Sequence, residues 1–184
     1  MSLTADYLKQ IETQLGQAWL PRIYRERILK MRTRSYQFPA TARNASPVIQ
    51  HTLLGIELKV GARRMLCPDL ATARYLSVFA RIGTPAVAIP YDITRISRIA
   101  DQLESSWHRM TLIADELTRD RGQAFRTRVQ RQLIGKVRAE IAAAGAGTRV
   151  PEFKLSTRQK ARSHACGTER RRASRLPKPF AQTM

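Results

Sequence analysis

The residues of this sequence best placed for chemistry are four charged side chains between positions 57 and 92. Glu57 and Lys59 alternate with apolar residues, a pattern typical of a strand, and Asp69 and Asp92 each follow a short apolar run that also predicts a strand. If those two strands are parallel neighbours, their carboxyl ends meet at one edge of a sheet and the two aspartates lie close together. Carboxylate oxygens bind Mg²⁺. Both aspartates also stand where a following helix needs an N-cap, which is the use that we expect for them.

The order of patterns from residue 56 to residue 90 resembles part of the core of the restriction-endonuclease-like nucleases, such as archaeal Holliday-junction resolvases. The segments IELKV, PDLATARYLSVFARIG and AVAIP follow the E-x-K strand, helix and strand of that family. The resemblance implies that Glu57 ligates Mg²⁺ and that Lys59 orients a water or stabilises charge on the phosphate, with Asp69 as a further acid. The family also has an Asp upstream, whereas residues 27 to 56 here contain no acid. An active or inactive nuclease is therefore an alternative, and the leading prediction has no catalytic residue and no cofactor.

The histidines and cysteines show no spacing that would hold a metal. His51 and His108 have no partner at ligand spacing, and the pair His164 and Cys166 is too sparse for zinc, which takes four ligands. Cys67 and Cys166 lie far apart and imply no disulfide framework, so we expect a reducing compartment.

An excess of positive charge is the feature that most limits the classes of function that this protein could have. The 184 residues include 33 Lys and Arg against 14 Asp and Glu, a formal net charge of +19 at pH 7. A surface with this charge repels itself, so we expect a polyanionic partner. Of the basic residues 26 are Arg and 7 are Lys, and the planar guanidinium matches a phosphate at two points. The composition favours nucleic acid, although a GC-rich genome also enriches arginine.

The basic residues that we predict to contact phosphates fall into three blocks. The first block interleaves with Tyr24, Tyr36 and Phe38, aromatic side chains that either stack on unpaired bases or, as we expect, pack against the domain. The second block lies on a predicted helix, and the third lies near the carboxyl end of the chain. The predicted nucleic-acid-binding residues are Arg22, Arg25, Arg27, Lys30, Arg32 and Arg34 in the first block, Arg126, Arg128 and Arg131 in the second, and Arg170, Arg171 and Arg172 in the third.

Hydrophobic periodicity predicts an α+β fold containing a small mixed sheet with a βαβ crossover. Apolar residues at three- and four-residue steps predict helices over about 3 to 20 and 22 to 34. From residue 48, alternating patterns predict strands joined near Gly61, then a helix from Asp69 to Gly83 and a buried strand over 86 to 89. A strand, a helix and a strand in this order predict a right-handed crossover between parallel strands. Two long helices follow, the first capped by Asp92.

Composition divides the chain into a helical arm (1–36), a linker (37–47), an α+β domain with carboxyl-terminal helices (48–145) and a basic tail (146–184). The tail has too few aliphatic residues to offset its ordering entropy, so we predict that it is disordered on its own. The amino terminus lacks signal-peptide character, and no apolar run approaches the roughly 18 residues that span a bilayer. We therefore expect a cytoplasmic or nucleoid-associated protein.

The leading prediction is a protein that binds DNA or RNA, mainly through the phosphate backbone and with weak sequence preference, rather than an enzyme. The rival from another class is a protein-assembly or adaptor module, in which the long helices pair with a partner and the tail docks on an acidic protein surface.

Overall fold

The computed structural model describes residues 3–38 and 46–148, which form helices and two small sheets, so the predicted α+β class is confirmed. No helix in these residues is both long enough and apolar enough to cross a membrane. In chain order the elements are α1 (Leu3–Leu15), a 3₁₀ turn (Gly16–Ala18), α2 (Leu20–Ile23) continued by a π-helical turn (Tyr24–Ile28), β1 (Thr33–Gln37), β2 (Val48–Thr52), β3 (Gly55–Val60), β4 (Arg63–Cys67), α3 (Leu70–Ile82), β5 (Ala86–Pro90), α4 (Ile93–Leu117) and α5 (Gln123–Ala144).

The strands of the described residues form two antiparallel sheets, and this topology corrects the predicted crossover. β2, β3 and β4 form a meander, while β1 pairs with β5 so that Thr33 lies opposite Pro90 and Gln37 opposite Ala86. α3 therefore joins a strand of one sheet to a strand of the other, and the predicted mixed sheet with a parallel βαβ crossover was wrong. The reason is that residues 33 to 37, whose first two were predicted to end a helix, form a strand and give β5 an antiparallel partner.

The predicted helix boundaries around α3 and α4 are confirmed by their capping groups. The Asp69 carboxylate accepts hydrogen bonds from the backbone N–H of Thr72 at 2.7 Å and from the Thr72 hydroxyl at 2.9 Å, which satisfies a free donor of the first turn. Asp92 accepts from Thr94 in the same way, and the side-chain hydrogen bond from Thr94 lowers the pKa of the Asp92 carboxyl. α3 ends at Gly83, whose φ of 74° lies in the left-handed region that glycine adopts without strain.

One hydrophobic core draws on both ends of the described chain. Ile11 and Leu20 from the predicted arm 1–36 are fully buried, as are Phe79 of α3, Leu103 of α4 and Val137 of α5. α1 packs against α4 and α5, which cover its apolar stripe. The boundary at residue 36 therefore does not separate two cores.

Parts of two predicted segments lie outside the described residues, namely 39–45 of the linker and 149–184 of the tail. The first residues assigned to the tail belong to the fold instead. The Thr148 carbonyl accepts a hydrogen bond from the backbone N–H of Ser35 at 2.9 Å, beside a parallel bridge between Arg34 and Thr148. The predicted tail boundary at 146 was therefore too early, because this pairing to β1 is not visible in local composition.

The hydroxyl of Tyr24 ties the end of α5 to β5. It donates to the Gly145 carbonyl at 2.7 Å and accepts from the backbone N–H of Ala88 at 2.9 Å. The ring is fully buried and contacts Phe79 edge to face, and burial raises the pKa of the phenol. Tyr24 is therefore a core residue that satisfies two backbone groups.

We expect Tyr24→Phe to lower the free energy of unfolding by about 1–3 kcal/mol, because the buried N–H of Ala88 loses its acceptor while the ring keeps its volume. The matched control is Tyr7→Phe, whose hydroxyl accepts from Arg121 at the surface at 3.2 Å and whose loss should change stability by less than about 0.5 kcal/mol. Denaturant unfolding followed by circular dichroism measures both variants. Equal effects would contradict the role assigned to Tyr24.

Candidate nucleic-acid interface

The described residues contain more cations than their carboxylates can pair. Residues 3–38 and 46–148 hold 22 Lys and Arg against 12 Asp and Glu. Nine of these carboxylates already lie in ion pairs, and Asp69 caps α3. The excess charge therefore resides on cations that lack a carboxylate, and most of these are guanidinium groups. The arginines that form no ion pair within the described residues are Arg25, Arg27, Arg32, Arg34, Arg81, Arg98, Arg109, Arg121, Arg128, Arg131 and Arg138.

The helical part of the first basic block does not form a single patch. Arg22 and Arg25 border one depression together with Lys9 of α1. Arg27, on the same π-helical turn as Arg25, borders another depression together with Arg98 of α4. The block that is continuous in sequence is therefore divided between two sides of the short helix.

The rest of the first block follows that helix into β1. Lys30, Arg32 and Arg34 are exposed. The Arg32 guanidinium carbon lies 5.3 Å from the centre of the Tyr91 ring, a cation–π contact that leaves the charge without a carboxylate. These three cations are accessible to an anionic partner.

The aromatic residues of the first block pack inward. Tyr24 is fully buried. Tyr36 and Phe38 are partly buried and meet edge to face with ring centres 5.2 Å apart. The Tyr36 hydroxyl lies 3.1 Å from the sulfur of Met65, and burial raises the pKa of this phenol. All three side chains pack against the domain, which is the use expected from the sequence.

The second basic block is also divided by the fold. Arg126 is partly buried and lies 3.9 Å from the Asp115 carboxylate. Arg128 is exposed, and Arg131 lines a cleft between helices. The third block, residues 170–172, lies outside the described residues.

A cleft between α3 and α5 brings together three arginines that no predicted block unites. Arg81 from the end of α3 and Arg131 and Arg138 of α5 line this cavity of about 890 Å³, which we call the arginine cleft. No carboxylate is among the described residues that line it. An anion placed there would therefore meet only positive and neutral groups. The lining also includes Gly83, Trp107, Gln130 and Gly135.

Arg138 is held in the arginine cleft by the end of α3. Its Nε donates a hydrogen bond to the Ile82 carbonyl at 2.9 Å, one of the last carbonyls of a helix that lack an intrahelical partner. A Cβ at Gly83 would lie 2.9 Å from Nη2 of Arg138, so the guanidinium packs directly against the glycine. A cation at this end also interacts favourably with the helix dipole. These contacts orient Arg138 before any ligand binds.

The predicted binding residues include Arg131 but neither Arg81 nor Arg138, the other two arginines of the cleft. Arg131 and Arg138 stand seven residues apart with Gly135 between them, and this spacing on one helix face was a readable signal. Arg81 gave no signal, because its place beside α5 depends on how α3 and α5 pack.

The residues implied by the nuclease resemblance do not form a metal site in the described part of the chain. Glu57 is 8% exposed, with Oε1 3.3 Å from the Thr52 hydroxyl and Oε2 3.9 Å from Nη1 of Arg64. Lys59 lies two residues further along β3, and Asp69 is a helix cap. Among residues 3–38 and 46–148, no group of three or more His, Cys, Asp and Glu is placed to hold a metal ion. β3 pairs with β2 and β4 and not with β5, so the strand that carries Glu57 and Lys59 and the strand after α3 lie in different sheets.

Asp69 and Asp92 follow strands of different sheets, so they do not meet at one sheet edge, and each caps a helix as expected. We expect Asp69→Ala to lower the free energy of unfolding by about 0.5–2 kcal/mol, because α3 loses its N-cap. The exposed Asp120 provides a charge-matched control, and Asp120→Ala should stay within about 0.5 kcal/mol of the parent protein. Thermal denaturation compares the two variants.

We expect the parent protein to show no Mg²⁺-dependent cleavage of DNA or RNA in a gel assay. Cleavage by the parent protein that disappears in Glu57→Ala or Lys59→Ala would instead establish the nuclease alternative, since the resemblance assigns these side chains to the scissile phosphate.

Comparison of the chain with protein-family models, with curated proteins and with solved structures gives no match. The charge and geometry of this chain are therefore the basis for inferring its function.

Proposed function

We propose that this protein binds nucleic acid, DNA or RNA, through the phosphate backbone. The observation that carries the proposal is the set of arginines without an ion pair in the described residues, where nine of the twelve carboxylates are already paired. Guanidinium groups without carboxylates repel one another, and a polyanion offsets this repulsion. Neutralising phosphates also releases condensed counterions, which drives association.

The identity of the cations supports phosphate as the chemical partner. Arginine supplies 26 of the 33 basic residues. Its fork of N–H donors binds two oxygens of one phosphate at once, whereas lysine offers a point charge. A composition that served solubility alone would have no need of this geometry.

The distribution of the arginines favours weak sequence preference. Those without an ion pair lie on the π-helical turn, β1, α3, α4, α5 and the connections that precede β1 and α5, rather than along one recognition helix. Contacts to phosphates position a protein on nucleic acid but carry no sequence information, which is read at base edges. We therefore propose backbone-directed binding by a protein that acts in the cytoplasm or on the nucleoid.

Equilibrium binding of the full-length protein to a panel of labelled polyanions tests the proposal. The panel contains single-stranded DNA, duplex DNA and single-stranded RNA of equal length, with and without Mg²⁺, together with poly-glutamate of matched charge. We expect every nucleic acid to bind at low salt and to bind more tightly than poly-glutamate. Absence of binding would contradict the proposal, and a preference for poly-glutamate would favour the adaptor alternative with its acidic partner.

A further inference from the structure

The arginine cleft concentrates positive charge that no described lining residue offsets. Arg81, Arg131 and Arg138 share one cavity of about 890 Å³, and none of them forms an ion pair within the described residues. Three guanidinium groups around one cavity raise the free energy of the empty cleft. A phosphate bound among them would remove this repulsion and accept charge-assisted hydrogen bonds from more than one side.

Gly135 keeps the wall of the cleft open between two of these arginines. It lies near the middle of α5, where glycine costs about 1 kcal/mol relative to alanine. Arg131 and Arg138 are one helical turn away on either side, so all three share a helix face. A Cβ at Gly135 would meet no atom within 4 Å, so packing of the protein does not require the glycine. Its missing side chain instead leaves space in the cleft that a long side chain would occupy.

Trp107 gives the same cavity an aromatic surface. It lies on α4, lines the cleft and is only partly buried. Nucleic-acid bases that are not paired stack on such rings regardless of their sequence. The cleft therefore combines donors for a phosphate with a surface for a base.

We propose that the arginine cleft binds a nucleotide unit of single-stranded nucleic acid, with the phosphate at the three arginines and the base beside Trp107. This inference rests on the proposed function and adds the form of the ligand and its place. A volume of about 890 Å³ is that of a small-molecule pocket, for which roughly 300–1,000 Å³ is typical. Such a cavity admits a nucleotide but not a base-paired duplex, whose stacked bases stay away from Trp107 and whose phosphates contact the exposed cleft arginines like any other surface arginine.

Charge-matched double substitutions in the full-length protein test the cleft. Arg81→Ala with Arg131→Ala removes two cleft arginines, and both side chains are exposed. Arg109→Ala with Arg128→Ala removes two other exposed arginines that form no ion pair within the described residues. Fluorescence anisotropy measures binding of a single strand and of a duplex of equal length. We expect the double substitution in the cleft to weaken single-strand binding about tenfold more than the control double substitution does. The two double substitutions should weaken duplex binding equally.

Substitutions at Gly135 test whether the shape of the cleft, and not only its charge, affects binding. Gly135→Gln fills the wall of the cleft and leaves the charge unchanged, while Gly135→Ala adds only a methyl group. Both residues have higher helix propensity than glycine, so both variants should fold and melt at or above the parent temperature. We expect Gly135→Gln to weaken single-strand binding roughly fivefold and Gly135→Ala to change it less than about twofold, since only the longer side chain occupies ligand space.

Quenching of tryptophan fluorescence tests whether a base stacks beside Trp107. We expect a single strand to quench the emission of the parent protein and to quench Trp107→Phe much less. The other tryptophan, Trp19, lies in the core with its Nε1 donating to Glu140 at 3.0 Å, so it is not the reporter.

Four results would overturn the inference. Equal losses from the two charge-matched pairs, or unchanged binding by Gly135→Gln, would show that the cleft is not the site, and the proposed function would stand if the parent protein still binds nucleic acid. A mononucleotide that binds as tightly as the single strand would show that the ligand is a free nucleotide rather than a chain. Absence of any nucleic-acid binding by the parent protein would contradict the proposed function itself.

Discussion

The affinity of the full-length protein for nucleic acid should fall about 250- to 1,000-fold when monovalent salt rises from about 50 to 200 mM. This follows if about six phosphates are neutralised, because the slope of log K against log salt is then roughly −4 to −5. Eleven arginines without an ion pair lie in the described residues, so six simultaneous contacts require only about half of them.

A salt series measured by fluorescence anisotropy gives the slope. Two neighbouring arginines provide the control, since Arg22 forms an ion pair with Glu26 at 3.5 Å whereas Arg25 has no ion pair within the described residues. Arg25→Ala should make the slope shallower by about 0.7–0.9 if that side chain contacts a phosphate. Arg22→Ala should change the slope less, because Glu26 already offsets part of its charge. A flat salt dependence of the parent protein would contradict the nucleic-acid proposal.

The helices were predictable because their signals are local. The stripe of Leu103, Met110 and Ala114 on α4 and the four-residue steps of Val129 and Leu133 on α5 are all buried as the periodicity predicts. The capping aspartates and the glycine after α3 were equally readable, since a cap satisfies backbone groups within four residues of itself.

The sheet was not predictable because strand pairing is not local. The segment Thr33–Gln37 is extended, but it follows a helix and carries arginine, so its own sequence gave no sign that it would pair with Ala86–Pro90. Once that pair forms, β5 belongs to a different sheet from β4 and the expected crossover disappears. The arginine cleft has the same origin: composition predicted the charge, whereas packing of α3 on α5 decides which arginines meet.

Deletion of residues 151–184 should leave the fold intact and remove much of the affinity. The segment contains nine of the 33 basic residues and two of the 14 acidic ones. The cut follows residue 150 because the bond from Ser35 to the Thr148 carbonyl belongs to the fold. Each phosphate that the shortened protein no longer neutralises makes the salt slope shallower by about 0.7–0.9. Three fewer neutralised phosphates would therefore change the slope by about 2–3 and weaken binding at low salt about tenfold or more.

A full-length variant in which the nine basic residues of 151–184 are replaced by glutamine separates charge from chain length. It should reproduce the weaker affinity and the shallower slope of the deletion, since both effects depend on cations rather than on the presence of the segment. Thermal denaturation should show the same transition for the deletion, the glutamine variant and the parent within a few degrees, because the predicted tail is poor in aliphatic residues. Loss of folding in the deletion would contradict the prediction made for this tail. An unchanged slope would instead assign the phosphate contacts to residues 1–150, where the arginine cleft and most of the first basic block provide cations without an ion pair.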